Sequence, residues 1–246
     1  MPRCRRWIPI NTRSEANEIV DGATWYAVAM ESATFVRELE AFKTDRLASI
    51  IGAGRTSVAE AGAGDPLDLL RVALVNEISV AELAAVWIPT TVEVDVKVAF
   101  ARQAGDEAGH FMLVSERLAA LGFDASSFVA PPDNALFTYM KSLTSTVERI
   151  AAGLVTLESI AYGVNENFMA LCASRGDEET VRIYREYIQP DERAHQQLGQ
   201  ALLEKYAITE ELQTLARTTV ARVIEIATAA RAQAATKLGT ACFPGC

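Results

Sequence analysis

The sequence predicts an all-α protein, a single domain over residues 1–246, and three observations lead there. Apolar residues recur at intervals of three and four through most of the chain. No convincing strand alternation appears; residues 91–98 alternate locally, but a helical stripe follows them. One short phrase, Asp-Glu-x-x-His, is written twice, in two stretches that look like copies of one helical hairpin set 85 residues apart.

Residues 1 to about 13 have no clear period, and Pro2 and Pro9 favour an extended arm. From Ser14 the pattern turns helical. Ile19, Ala23, Tyr26, Ala27 and Met30, then Phe35, Leu39, Phe42, Leu47 and Ile50, predict one broken helix or two over about 14–50. The span Gly52–Gly64, with four glycines and no apolar period, reads as the clearest loop.

Asp65-Pro66 starts the next helix, with Asp as N-cap and Pro in the first turn, where a missing N–H is harmless. It runs to about Trp87 and stops at Pro89. Thr90 with Glu93 three residues on has the form of a capping box, opening a helix that ends near Gly122. Pro131-Pro132-Asp133 is a loop.

A helix over about Asn134–Ser174 would be roughly 60 Å long, more than such a bundle needs, so a break is expected within it. Gly176-Asp177 pairs a C-cap glycine with an N-cap acid, a tight helical hairpin. The following helix reaches about Tyr206, and Pro190 must free the carbonyl of Glu186 and bend or bulge it. Thr209 caps a last helix with Leu212, Leu215, Val220, Val223 and Ile226 on one face, ending near Gly239. Ala241–Cys246 reads as a free tail, with a small Cys242/Cys246 redox loop as the alternative.

Composition narrows the function. Half the residues are hydrophobic, ample for a sizeable core. A net charge of −9, with basic residues scattered among acids, argues against a nucleic-acid partner and suits attraction of metal cations. Every apolar stretch is broken by a charge well before 18 residues, so no membrane span is expected, and no apolar segment follows the basic Met1–Arg6 as a signal peptide would require. A cytoplasmic location is therefore expected. Cys4, Cys172, Cys242 and Cys246 are too dispersed for a disulfide framework or a zinc module.

The repeated phrase carries the chemistry. Its copies are Asp106-Glu107-Ala108-Gly109-His110 and Asp191-Glu192-Arg193-Ala194-His195, and they hold both histidines of the chain. Residues three apart on a helix share a face, so each Glu and His can point at one ion. With 32 acids in 246 residues, chance alone would place acids three and four positions before both histidines about 3 times in 10,000.

Over about residues 66–206 this layout resembles the ferritin-like di-iron carboxylate proteins, in which a four-helix bundle supplies one Glu from each of two helices and a Glu-x-x-His pair from each of the other two. The flanking segments at about 14–50 and 209–239 would then be extra N-terminal and C-terminal helices. Glu107, His110, Glu192 and His195 match the paired motifs, and helix levels select the single glutamates. Reflecting 192 through Gly176 gives 160, so Glu158 is off by roughly 3 Å and Glu166 by roughly 9 Å. Reflecting 107 through the Pro89–Thr90 turn gives about 72, so Glu77 is off by roughly 7 Å and Glu82 by roughly 15 Å. Glu77 and Glu158 also sit on apolar faces, where a lone carboxylate is costly to bury without a cation.

The resemblance implies two Fe ions, with an Mn/Fe pair left open, bound by Glu77, Glu107, His110, Glu158, Glu192 and His195. Asp106 and Asp191 would hold the imidazoles from behind, since a metal-bound His usually gives its other N–H to a carboxylate. Tyr162, one turn beyond Glu158, would hydrogen-bond a ligand, line a pocket or fill core space. The implied activity is O2-dependent oxidation or oxygenation of a small organic substrate, monooxygenase-like, with no catalytic residue beyond the metal ligands and with electrons from an external donor. A ferroxidase or iron-handling role, a rubrerythrin-like peroxidase and a metal-free helical bundle are the alternatives. The position of the radical tyrosine of ribonucleotide reductase is Val114. A homodimer is compatible with all of these.

Overall fold

Two helical hairpins carry the chemistry-bearing residues. The structure is a computed structural model that describes residues 22–59, 65–125 and 128–245. Every regular element in those residues is helical. The expected arm at 1–13 and the start of the first helix at 14–21 lie outside the described residues.

The first hairpin is α2 (Pro66–Trp87) and α3 (Val94–Ala120). The Asp65 side chain accepts the Leu67 N–H at 3.0 Å and caps α2, with Pro66 next, as the sequence predicts. The second hairpin is more irregular. Its first arm is α5 (Thr146–Ile150), a π-helical turn (Ala151–Leu157) and α6 (Glu158–Ser174). Its second arm is α7 (Glu178–Ile183), a π-helical turn (Tyr184–Ile188) and α8 (Gln189–Tyr206). Gly176, at φ 75°, and the Asp177 cap turn one arm into the other. The helices α1 (Gly22–Ala59) and α9 (Glu210–Leu238) pack against the second hairpin and against each other, and α4 (Ala135–Lys141) packs on α2 and α9.

The two π-helical turns aim the functional side chains. Each adds one residue to a turn, which rotates everything after it by about 100° relative to a regular helix. The second precedes Pro190, whose missing N–H leaves a carbonyl free and favours the wider turn. The first has tertiary causes. A Cβ on Gly153 would lie 2.8 Å from the Trp87 ring, and a Cβ on Gly199 would lie 2.7 Å from Leu154 Cβ. The backbone here is therefore pressed between two neighbours. Thr156 Oγ1 donates to the Ala151 carbonyl at 2.7 Å, and Ser159 Oγ donates to that of Val155 at 2.6 Å.

Two apolar clusters stack along the hairpins. One gathers Trp87, Phe100, Leu154 and Leu203 with Phe35, Leu39 and Val220. The other gathers Leu70, Leu74, Leu118, Phe168, Ile188 and Phe243. Each of α2, α3, α6 and the arm ending in α8 runs through both clusters, and between them each contributes buried polar residues. The polar layer is thus enclosed above and below by close-packed hydrocarbon. Among the described residues no helix is long and apolar enough to cross a membrane.

Four expectations need correction. The helix α1 is continuous to Ala59 and not broken, and Gly52 and Gly54 are helical where the sequence predicts a loop; the rest of that predicted loop, 60–64, lies outside the described residues. Gly54 is there for closeness: a Cβ would lie 2.7 Å from Asn167 Nδ2, which donates to the Ile51 carbonyl at 2.9 Å. The Thr90–Glu93 capping box does not form. Thr91 Oγ1 donates to the Trp87 carbonyl at 2.8 Å, and Glu93 accepts from Thr146 Oγ1 at 2.6 Å, tying the two hairpins together. A capping box does occur at Ser145 and Glu148, where the long predicted helix breaks. The tail is not free: Cys242 and Phe243 are buried, and Arg231 donates to the carbonyls of Phe243 at 2.8 Å and Gly245 at 2.7 Å.

Candidate metal centre

Glu77 from α2, Glu107 and His110 from α3, Glu158 from α6, and Glu192 and His195 from α8 meet in the polar layer, and none is more than 4 % exposed. Their potential ligand atoms form two groups, each within 4.8 Å: Glu77, Glu107, His110 and Glu192; and Glu107, Glu158, Glu192 and His195. Glu107 and Glu192 belong to both. His110 Nδ1 lies 3.3 Å from Glu107 Oε2 and 3.4 Å from Glu77 Oε2. His195 Nδ1 lies 3.5 Å from Glu107 Oε1 and 3.4 Å from Glu158 Oε1. Glu107 thus turns one oxygen to each imidazole.

The far side of each ring faces an aspartate of the opposite hairpin. His110 Nε2 is 3.3 Å from Asp191 Oδ2, and His195 Nε2 is 3.0 Å from Asp106 Oδ2. An ionised carboxylate can only accept, so each Nε2 carries a proton; once a cation replaced the proton on the other nitrogen, each Nδ1 would offer its lone pair to the centre.

Electrostatics indicate a centre that wants cations. Burial pushes the Glu77 carboxyl up to about 7, with Glu107 beside it adding to the rise. Burial and the Glu158 carboxyl hold Glu192 well above the usual range. Burial would lower His195, but the carboxylates of Glu158, Asp106 and Glu107 outweigh it and raise the ring to about 12. Burial likewise opposes the charge on His110, yet Asp191, Glu107 and Glu77 raise it strongly. Burial would raise Glu107, but the two imidazoles hold it at about 2. Without a cation, protons must offset the carboxylates. Glu107 Oε1, Glu192 Oε2 and His195 Nδ1 are buried with no hydrogen-bond partner, a costly state for polar atoms that metal coordination would relieve. Carboxylate oxygens with imidazole nitrogens suit a first-row divalent metal. The residues present therefore fit a metal ion.

The rejected glutamates lie elsewhere. Glu82 is 3.9 Å from Lys141 on the surface, and Glu166 accepts from Gln189 Nε2 at 2.6 Å. The connection 88–93 centres the first turn between 90 and 91, which brings Glu77 within three residues, roughly 4.5 Å, of the level of Glu107. Tyr162 does not join the cluster but lines a cavity on the outer side of the hairpin, one of the roles expected for it: its hydroxyl accepts from Arg193 Nη2 and its ring lies 5.0 Å from that guanidinium.

Two residues were missed from sequence. Gln103, 1 % exposed, donates through Nε2 to Glu158 Oε1 and fixes that carboxylate. It stands one turn before Glu107 on the same stripe, a signal that was available. Tyr184 is fully buried, its hydroxyl has no hydrogen-bond partner, and burial raises its pKa with the Glu77 carboxyl adding to the effect. It lies eight residues before Glu192 across a π-helical turn, so regular helical counting puts it on the wrong face.

Fold and site define an all-α protein with a buried carboxylate–imidazole cluster that could hold metal. The chain belongs to the family described as "Protein of unknown function (DUF455)", whose model matches residues 74–234 and so includes all six clustered residues and both aspartates. No curated protein and no solved structure matches the chain.

Proposed function

We propose that the chain is a di-iron oxidoreductase of the ferritin-like, four-helix-bundle kind, which uses O2 to oxidise or oxygenate a small organic substrate. The observation that carries this reading is the sharing of Glu107 and Glu192 between two buried Glu/His groups. One ion would take Glu77 and His110, the other Glu158 and His195, with Glu107 and Glu192 between them. Four carboxylates balance two divalent cations, so the buried centre would be neutral with both imidazoles neutral. Bound iron supplies the electrons for O2 chemistry, and an external donor restores them.

The chain's own residues do the positioning. Asp106 and Asp191 hold the ring protons at Nε2 and keep Nδ1 free for the centre. Gln103 orients Glu158. The apolar layers on either side exclude bulk water, which strengthens every charge interaction within. Firmly held imidazoles favour retained iron over the readily released iron of a ferroxidase, the principal alternative.

Iron content and O2 uptake test the reading together. Protein reconstituted with Fe2+ should hold about two irons per chain, and His110→Ala and His195→Ala should each lose iron. Anaerobic Fe2+ protein mixed with O2 should consume about one O2 per pair, retain its iron and need added electrons to react again. Well under one iron per chain would reject the metal assignment. Continued oxidation of added Fe2+, with growth of a ferric mineral, would support iron storage instead.

A further inference from the structure

A cavity of about 530 Å3 opens on the outer side of the seam between α6 and α8, away from the clustered carboxylates. Its volume falls in the range of small-molecule sites. Met169, Ala170, Ala173 and Pro190 give it an apolar floor, and Arg185 and Arg193 both line it.

These two arginines differ from most others in the described surface. Arg71, Arg102, Arg117, Arg182, Arg217 and Arg222 each hold a carboxylate within 4.0 Å. Arg185 has no acceptor among the described residues, and Arg193 meets only Tyr162, through its hydroxyl and its ring face. Arg37, Arg46 and Arg55 also lack a carboxylate partner among the described residues, but none of them lines this cavity, whereas Arg185 and Arg193 share one lining. They stand eight residues apart on one arm, roughly 12 Å along the axis, and their long side chains can converge on one anion. Tyr162 fixes Arg193 by stacking, which leaves the guanidinium pre-organised with donors to spare.

The cavity holds one carboxylate, Glu166, and it is already engaged. Gln189, 6 % exposed, donates from Nε2 to Glu166 Oε1 at 2.6 Å and to the Tyr162 carbonyl at 3.2 Å. The arrangement keeps Glu166 on the α6 wall and leaves a net positive charge facing an apolar floor. We propose that this cavity binds a small organic acid, its carboxylate on Arg185 and Arg193 and its hydrocarbon body on Met169, Ala170 and Pro190. Gln189 and Tyr162 stand one helical turn from Glu192 and Glu158, so the ligand lies across one wall of the polar layer. The proposal concerns binding alone and stands whether or not the polar layer holds iron.

Calorimetric titration of the full-length protein with benzoate, octanoate and indole-3-acetate, each beside its neutral amide, reads out the charge requirement. At least one acid should bind with a Kd below about 1 mM, at least tenfold tighter than its amide and tighter than inorganic phosphate, which has charge but no hydrocarbon body. The double substitution Arg185→Gln/Arg193→Gln should weaken that acid at least tenfold. Ala170→Trp, at an exposed position, should fill the cavity and abolish binding. Circular dichroism should be unchanged in both variants. The proposal is overturned if no acid binds, if acid and amide bind alike, if phosphate binds as well as the acids, or if either variant keeps wild-type affinity.

Discussion

His195 donates its Nε2 hydrogen to Asp106 at 3.0 Å, although the two residues are 89 positions apart and belong to different hairpins. The reciprocal pair, His110 and Asp191, spans 81 positions in the opposite sense. Each Asp-Glu-x-x-His phrase thus holds the imidazole of the other phrase, and neither hairpin can complete its half alone. Asp106→Asn and Asp191→Asn should each lower metal affinity about 10- to 100-fold by loosening the ring of the opposite hairpin. Chelator competition measures this; affinities unchanged in both variants would mean that the crossed hydrogen bonds do not support the centre.

Glu77→Ala and Glu158→Ala should lose iron, because each removes a carboxylate from one group only. Glu82→Ala and Glu166→Ala should keep it, since those side chains reach Lys141 and Gln189 instead. Mass spectrometry of the four variants decides between the two sets.

Metal-free protein should become less stable as pH rises. Glu77 titrates near 7 in the folded state, above its ordinary 4.5, and Glu192 is raised further, so the folded state binds more protons than the unfolded chain from about pH 4.5 upward. The contribution is whole below 4.5 and is lost as pH climbs through 7. His195, raised to about 12, acts in the same sense above 6.5. Glu107, held near 2, acts oppositely but only below 4.5. Metal binding displaces those protons, so loaded protein should gain stability over the same interval. Thermal melts from pH 5 to 8 with and without Fe2+ should therefore diverge; parallel curves would show that the cluster does not take up metal.

Gly199→Ala should cost about 1–3 kcal/mol and lower iron occupancy. The added Cβ would lie 2.7 Å from Leu154 Cβ and 3.0 Å from the Leu154 carbonyl carbon, and it would push α8 off the π-helical turn that aims Glu158. Gly109→Ala, where nothing lies within 4 Å, is the control and should keep its iron.

Phe243→Ala should destabilise the protein by about 3–5 kcal/mol. The ring is 3 % exposed, with the Arg231 guanidinium 4.0 Å from its centre. A loss below about 0.5 kcal/mol, within the range of surface substitutions, would show that the tail is not docked in solution.

Local chemistry determined the helices and the identity of the clustered residues. Asp65-Pro66, Gly176-Asp177 and Thr209 start or turn helices because capping acts within three or four residues. The two phrases were legible because a helix sets Glu and His on one face by spacing alone, and the level of a hairpin follows from its turn. Tertiary contact decided the rest. Gly52 and Gly54 lie in helix because α6 packs closely on α1, a gain that outweighs about 1 kcal/mol of unfavourable propensity for each glycine. Trp87 and Leu154 press on Gly153 and Gly199 around a π-helical turn that no local signal announces. The partner of Asp106 proved to be His195, because a hydrogen bond depends on which atoms approach across the packed hairpins and sequence distance does not enter. Arg231, Asn76 and Asn165 bind the tail's backbone at 2.7, 3.1 and 3.0 Å, partners spread over three helices that only the folded chain brings together.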